Sequence, residues 1–276
     1  LLHDFTLNMI KLKKTVSFNP NSNRMRIVAD IKKAIEDFEN NLNPNLNFLL
    51  LKRYSWMKRF ILNNDKGLEV GAGAGFSKKY IKNKNFKISD FSTDDHLDLK
   101  NVDAQDTKLP SNEYDFVIAS NMIHHVPYPI KFLDEMYRIL KPGGKLIIQE
   151  AHCSIVFQLV TIIMRHEGYD FTKNVWDEKL PMTAEDDLWA GNIALPILIF
   201  DNKKNFEKKF GTKFKLIHNK LYEFLIFLNS GGVTSKTFYI PLNKFVLKIL
   251  NYIDIILIKF FPNIFALGRQ IVLKKI

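Results

Sequence analysis

The spacing of apolar residues changes twice along the chain, and each change marks a different kind of structure. Before residue 63 apolar side chains recur at helical spacing, which predicts helices over residues 25–38 and 46–62. Between residues 63 and 150 short apolar runs are separated by amphipathic segments and turn residues. These runs predict buried strands, at residues 67–71, 86–89, 97–102, 116–120 and 145–149.

Helices are predicted between these strands, over residues 76–82 and 130–140. The second helix ends at Pro142-Gly143-Gly144, residues that cannot continue it. Strands that alternate with helices favour a parallel sheet with helices on both faces. Only six residues separate Asp90 from Leu97, too few for a crossover helix, so we expect a turn there.

The alternation stops at residue 151, where a segment rich in aromatic and apolar residues predicts a cap insertion. Residues 214–217 and 270–273 are expected to form an antiparallel final pair of strands, with an apolar helix over 242–261 between them. The predicted fold is α/β, a doubly wound and mostly parallel sheet with an antiparallel final strand, N-terminal helices and a helical cap insertion. The predicted units are an N-terminal helical extension, a core, the cap, and a C-terminal strand pair with the apolar helix, over residues 1–62, 63–150, 151–210 and 211–276.

Composition narrows the classes of partner and compartment. The net charge of +11 would attract polyanions, but the lysines are spread evenly and no arginine-rich or lysine/aromatic RNA-binding pattern is present, so nucleic acid is not an expected partner. Cys153 is the single cysteine, which excludes an intramolecular disulfide and fits a reducing compartment. Residues 1–15 resemble neither a signal peptide nor a spanning helix, and we expect a cytoplasmic protein.

Three glycines at alternate positions, Gly71, Gly73 and Gly75, stand between the first core strand and the next helix. Glycine permits positive φ and close approach of a ligand, and the helix start offers free N–H groups. A dinucleotide site requires Gly-x-Gly-x-x-Gly, whereas here the third glycine comes one residue early. Glu69 precedes the loop, where its charge would repel a pyrophosphate but suit a cationic amine. The alternative is that these glycines form only a turn.

Two acidic positions follow the next strands. Asp90 ends the second strand, where a carboxylate can accept hydrogen bonds from ribose hydroxyls. Asp103, followed by Ala104, comes after the third predicted strand and could meet an adenine amino group.

With the segments 68–75, 103–110, 114–127 and 132–146 in this order, the chain resembles the class I S-adenosylmethionine-dependent methyltransferases of the type 11 group over residues 66–150. The resemblance implies a Rossmann-like fold and S-adenosyl-L-methionine as cofactor. It also implies that Glu69 and the glycines hold the methionine part, and that Asn121 and Met122 line the pocket. The implied cofactor-binding residues are Glu69, Gly71, Ala72, Gly73, Gly75, Asp90, Asp103, Ala104, Asn121 and Met122.

Methyl transfer depends chiefly on alignment, so a dedicated base is optional. His124 and His125 follow the fourth strand and His152 follows the fifth, and these histidines are the candidate bases. His124 and His125 could equally form a packed, hydrogen-bonded wall. Three or four converging ligands would be needed for a metal, and the histidines form too loose a pattern, so no metal site is predicted.

The acceptor side is expected at the cap, beyond the carboxyl ends of the strands. The helix over 242–261 is unusually apolar, but Lys248, Asp254 and Lys259 make spanning a bilayer costly. Peripheral contact with the inner face of the membrane would favour a lipid- or glycan-linked acceptor over a small molecule. Packing on the sheet or in a dimer interface stays open, and the sequence does not fix the oligomeric state. The alternatives are a non-catalytic S-adenosylmethionine-binding subunit and an NAD-dependent oxidoreductase.

Overall fold

The structure, a computed structural model, describes residues 11–24, 27, 29–40 and 43–276. Within them, six strands form the central sheet, in the order β3-β2-β4-β5-β8-β7. The strands β2 to β5 run parallel, and β8 is antiparallel to both of its neighbours. Strands β1 and β6 pair separately. In chain order the strands are Thr15–Val16 (β1), Gly67–Val70 (β2), Phe86–Ile88 (β3), Tyr114–Ser120 (β4), Leu140–Ala151 (β5), Tyr169–Asp170 (β6), Phe214–Tyr222 (β7) and Gly268–Lys275 (β8).

The helices cover both faces of this sheet, which confirms the predicted doubly wound α/β fold. In β4, Phe116 and Ile118 pack on the side of the N-terminal helices, whereas Val117 and Ala119 pack on the side of the helix after β4. Successive strand residues point to opposite faces, so one strand serves both cores. The α-helices are Ile31–Asn40 (α1), Pro44–Ser55 (α2), Ser77–Tyr80 (α3), Pro129–Ile139 (α4), Ile155–Met164 (α5), Leu195–Phe200 (α6), Lys203–Phe210 (α7), Leu225–Leu228 (α8), Lys244–Phe260 (α9) and Pro262–Phe265 (α10).

The helix predicted over residues 46–62 is shorter in the structure than the sequence pattern predicts. Part of the helix predicted over 25–38 lies outside the described residues, and α1 begins at Ile31. Helix α2 ends at Ser55 and is followed by a 3-10 turn over Met57–Phe60. Asn43 caps α2 because its side-chain oxygen accepts hydrogen bonds from the backbone N–H groups of Asn45 and Leu46.

The prediction of a strand over residues 97–102 is wrong, because this segment forms only an isolated β-bridge, between Ser89 and Leu99. The Asp98 carboxylate accepts the N–H of Ile88 at 2.8 Å, a group that ladder pairing would have used. The helix predicted over 76–82 shortens to the four residues of α3. Residues 89–113, all described, contain no helix, which confirms that a turn replaces the usual crossover helix after Asp90.

The C-terminal half closes the sheet and carries the cap. The final antiparallel pair is confirmed, but β7 and β8 are longer than predicted. Residues of the cap, among them Phe157, Tyr169 and Ile193, share a core with Phe224 and with Ile258 of α9. The cap therefore packs against the C-terminal elements, and the division of the chain at residues 62, 150 and 210 stays a prediction.

Candidate cofactor and acceptor site

The glycine loop lies at the carboxyl end of β2, and its backbone has the conformations that glycine alone adopts readily. Gly71 has φ of 65° and Gly73 has φ of 51°. A Cβ on Gly71 would lie 2.9 Å from Cβ of Met122, whereas a Cβ on Gly73 would meet nothing within 4 Å. The loop thus packs closely on the turn after β4 at Gly71 and borders open space at Gly73.

Two side chains hold this loop. The Asp90 carboxylate accepts hydrogen bonds from the N–H of Gly73 at 2.9 Å and from the N–H of Ser92 at 3.0 Å. His96, which sequence analysis missed, has its Nε2 2.7 Å from the carbonyl oxygen of Gly73. No local signal marked His96, because it stands in a polar loop that only the fold brings to the glycines.

Glu69 is buried beneath the loop. Its carboxylate accepts a hydrogen bond from the hydroxyl of Ser77, at the start of α3. Burial raises the pKa of Glu69 to about 8, although the Ser77 hydrogen bond works against this shift. Among the described residues no cationic side chain forms an ion pair with Glu69, and such a buried acid favours a ligand that brings a positive charge.

The remaining predicted cofactor residues lie on the loops that follow β3 and β4. The backbone N–H of Val102 donates to the carbonyl of Asp90, which ties Asp103 and the buried Ala104 to the Asp90 turn. The Asp103 carboxylate accepts the N–H of Gln105 at 2.8 Å. Asn121 has φ of 51°, and its Oδ1 accepts a hydrogen bond from Nε2 of Gln149 at 3.0 Å, which fixes the turn that carries Met122.

A second group of polar side chains lies where β4 and β5 end, beside the glycine loop and the carboxylates around it. His124 follows β4 in the 3-10 turn Ile123–His125 and is buried. Its Nδ1 lies 2.6 Å from Oε2 of Glu150 in β5, and its Nε2 lies 3.0 Å from Oε2 of Glu167 in the cap. Burial alone would lower the pKa of His124, but the carboxylates of Glu150 and Glu167 raise it to about 10.

The group formed by the glycine loop and the carboxylates around it fits the chemistry of S-adenosylmethionine. It offers an acid for a cationic amine, further carboxylates for hydroxyl and amino groups, and open space beside Gly73. Comparison with known proteins gives the same answer, because residues 68–148 match the family model of the methyltransferase domain. This segment is a methyltransferase domain. The chain has the fold of an S-adenosylmethionine-dependent methyltransferase, and S-adenosylmethionine is the cofactor that the family match implies.

The chain is similar to curated methyltransferases over part of their length. The chain is 29% identical over 117 residues to a demethylmenaquinone methyltransferase from Clavibacter sepedonicus, a match covering 37% of this chain and 45% of that protein. It is 26% identical over 97 residues to a phosphatidylethanolamine N-methyltransferase from Cereibacter sphaeroides, covering 29% and 48%. These alignments span less than half the length of the curated relatives.

A crystal structure of a SAM-dependent methyltransferase from Archaeoglobus fulgidus has the same fold. The TM-score is 0.52 at 14% identity, and the superposition covers 87% of this chain and 98% of the other. The sheet of this chain, parallel with an antiparallel end, thus has the Rossmann-like fold that the sequence predicts.

His125 and His152 differ from His124 in that their pKa values are lowered. His125 donates from Nδ1 to the carbonyl of Ala190 at 3.0 Å, and burial together with the charge of His124 lowers its pKa. His152 is buried, and neither ring nitrogen has a hydrogen-bond partner among the described residues. Burial, followed by the charge of Arg269, lowers the pKa of His152 to about 4. The catalytic roles of His124, His125 and His152 stay predictions.

The cap contributes to this site through two residues that are remote in sequence from the methyltransferase domain. Asn192 donates its backbone N–H to the carbonyl of His124 at 2.8 Å and fastens the segment after β6 to the turn. Glu167 brings its carboxylate to both His124 and His125. No pattern in the sequence joins Glu167, which lies in the cap, to these histidines.

Proposed function

We propose that this chain transfers the methyl group of S-adenosylmethionine to a small-molecule or lipid-linked acceptor. The observation that carries the proposal is the glycine loop within residues 68–148, with open space at Gly73 and the Asp90 carboxylate on the Gly73 N–H. The cofactor supplies an electrophilic methyl group. An acceptor oxygen, nitrogen, sulfur or carbon would take this methyl group in line, the bond to the acceptor forming as the carbon–sulfur bond breaks, with S-adenosylhomocysteine as the leaving group.

The residues of the chain contribute mainly by positioning. Alignment of two reactants supplies on the order of 7–11 kcal/mol at best. Glu69 would fix the amine end of the cofactor, and Asp90 and Asp103 would fix the ribose and adenine. His124 is held between two carboxylates, Glu150 and Glu167, so it is a poor proton acceptor. Orientation of the cofactor and the acceptor therefore contributes a larger share of catalysis than a dedicated base does.

Titration calorimetry with S-adenosylmethionine, S-adenosylhomocysteine and NAD tests the binding step. The variant Gly73→Arg fills the open space. Its matched control is Gly143→Arg, because Gly143 also has a positive φ (78°) but lies in β5, outside the loop. A Cβ added to Gly143 would meet only Lys274 Cε, at 3.9 Å. We expect both sulfur ligands to bind the wild type and the control. Gly73→Arg should lose at least about two orders of magnitude in affinity, roughly 2.7 kcal/mol.

Three other outcomes are informative. Binding of NAD alone would contradict the proposal and support an oxidoreductase. If the folded wild type binds none of the three ligands, the glycines form only a turn and no binding site. Binding of S-adenosylmethionine without transfer of labelled methyl to aqueous or lipid extracts would support a non-catalytic binding subunit.

The outer face of α9 favours a lipid-linked acceptor. Phe245, Tyr252 and Phe260 are 72%, 65% and 66% exposed, and isoleucines lie between them. Lys248 and Lys259 are exposed on the same helix. Apolar side chains interspersed with lysine are typical of a helix that lies in the interface of an anionic membrane.

The acidic residue of α9 does not oppose this arrangement, because it points inward. Asp254 is buried and accepts hydrogen bonds from backbone N–H groups at the start of α8. In the part of the chain that the structure describes, no helix has the length and apolar character needed to cross a membrane. We therefore propose peripheral contact. Two relatives carry names that include demethylmenaquinone and phosphatidylethanolamine, and both names fit an acceptor held at a lipid surface.

Vesicle co-sedimentation tests the contact. We expect the protein to pellet with phosphatidylcholine vesicles containing phosphatidylglycerol, and to be released by salt as screening weakens the lysine contribution. Phe245→Glu/Phe260→Glu should abolish pelleting. Leu62→Glu/Leu188→Glu is the matched control, since Leu62 and Leu188 are also exposed but lie outside α9. Equal pelleting of both double variants would contradict contact through α9 while leaving methyl transfer intact.

A further inference from the structure

The turn after β4 and the cap bring together three side chains that can each offer a ligand to one metal ion. His124 and His125 each present Nε2, and Glu167 presents its carboxylate. The ligand atoms of these residues all lie within 4.8 Å of one another. We propose that His124, His125 and Glu167 bind a first-row divalent transition-metal ion such as Zn²⁺.

The spacing of the ligand atoms suits such an ion. His124 Nε2 lies 3.0 Å from Oε2 of Glu167, and His125 Nε2 lies 3.4 Å from Oε1. Tetrahedral zinc with bonds of about 2.0–2.1 Å places its ligands about 3.3 Å apart. An ion between the two rings and the carboxylate therefore needs only small side-chain movements.

Both imidazoles are also oriented as ligands usually are. The Nδ1 of His124 faces the Glu150 carboxylate at 2.6 Å, and the Nδ1 of His125 faces the carbonyl oxygen of Ala190 at 3.0 Å. Metal-binding histidines characteristically donate the far N–H to a carboxylate or a carbonyl, which fixes the ring and leaves the other nitrogen free for the metal. Here both rings have such a partner.

The charges of the site favour a divalent cation. The side chains of Glu150 and Glu167 are almost fully buried on either side of His124. A divalent ion beside His124 Nε2 brings two positive charges, which balance these two carboxylates, while the Nδ1–H of His124 remains directed at Glu150.

The ion would join two parts of the chain. The histidines belong to the turn after β4, and Glu167 belongs to the cap. His125 has a 21% exposed side chain, so the ion can enter from its side. Two imidazoles and one carboxylate leave coordination positions open, where water or another oxygen ligand can bind.

Calorimetry on chelator-treated protein tests the site without any cofactor. We expect one equivalent of Zn²⁺ or Co²⁺ to bind, with visible absorption from Co²⁺, and little binding of Mg²⁺ or Ca²⁺. Zn²⁺ should also raise the melting temperature, because it binds only the folded arrangement. His125→Asn and Glu167→Gln should each weaken binding by at least about tenfold.

The matched control is His218→Asn, because His218 lies in β7 and stacks on Trp56, outside the proposed site. Its metal affinity should equal that of the wild type. If Glu167→Gln fails to fold, the more exposed His125 decides the test. Wild-type protein that has a native circular dichroism spectrum and binds no Zn²⁺, or a His125→Asn variant that binds it unchanged, would overturn the proposal. S-adenosylmethionine titration of the same sample shows separately whether the cofactor site is present.

Discussion

Two carboxylates, those of Asp90 and Glu69, influence the shape of the glycine loop and the kind of ligand that it can bind. Asp90 accepts the Gly73 N–H, so its side chain both shapes the loop and lies beside the space that Gly73 leaves open. Glu69 is buried nearby, and its carboxylate accepts a hydrogen bond from the Ser77 hydroxyl. Asp90 also raises the pKa of Glu69, though less than burial does. An incoming amine would therefore find an acid that is protonated at neutral pH.

This protonation predicts a pH-dependent affinity for S-adenosylmethionine. With a pKa of about 8, Glu69 is largely uncharged at pH 7, and a bound ammonium group would favour its ionised form. Affinity should rise with pH by at most about tenfold per unit, and level off above pH ~8. Calorimetry from pH 6 to 9 measures this slope.

Glu69→Gln is the control for the pH series, because it keeps the size of the side chain and removes its titration. Its affinity should follow only the titration of the ligand's own amine. Parallel pH profiles for the wild type and Glu69→Gln would contradict a contact between Glu69 and the amine.

Among the helices, α9 shows how one buried acid can set the orientation of a whole element. Asp254 lies on the inner face and accepts the N–H groups of Phe224, Leu225 and Ile226 at 3.0, 2.8 and 3.3 Å. Unpaired N–H groups at a helix start favour a negative charge. The contact holds α9 against α8, and the apolar side chains of the opposite face remain exposed.

Replacing this acid should destabilise the fold. We expect Asp254→Asn to lower the free energy of unfolding by about 1–3 kcal/mol, because the amide cannot accept from three donors as a carboxylate does. Lys248→Ala, at an exposed site on the same helix, should change it by less than about 0.5 kcal/mol. Urea unfolding followed by circular dichroism measures both, and equal values would show that the Asp254 contacts are not stabilising.

Across the whole molecule, the N-terminal helices complete the core of the sheet. Leu49 and Leu50 of α2 share a cluster with Phe116 and Ile118 of β4. Arg53 of α2 donates two hydrogen bonds to the buried Glu223, which follows β7. The helices before residue 62 thus cover a face of the sheet that would otherwise expose large apolar side chains.

We therefore expect the N-terminal helices and the sheet to unfold together. Leu49→Ala should cost about 2–5 kcal/mol, the usual range for a buried leucine. The urea midpoints by tryptophan fluorescence and by circular dichroism should shift equally. Leu62→Ala, at a 69% exposed leucine, should leave both midpoints nearly unchanged. Two separate transitions would show instead that the N-terminal segment folds independently.

The sequence by itself determined the features that depend on local chemistry. Glycines at 71, 73 and 75 permit the positive φ that all three adopt, and the apolar run before them favours a strand buried on both faces. The glycine turn, the mostly parallel sheet and the antiparallel end followed from these patterns.

Tertiary structure decided the features that depend on contacts between distant segments. Residues 97–102 have a strand-like pattern, but the Asp98 side chain takes the N–H that pairing would need. Glu167 reaches His124 and His125 only because the cap folds back over the end of β4. The direction of Asp254 likewise depends on α8. A residue pattern records burial and turn preference, whereas the partner of a polar group is fixed only when separate elements pack together.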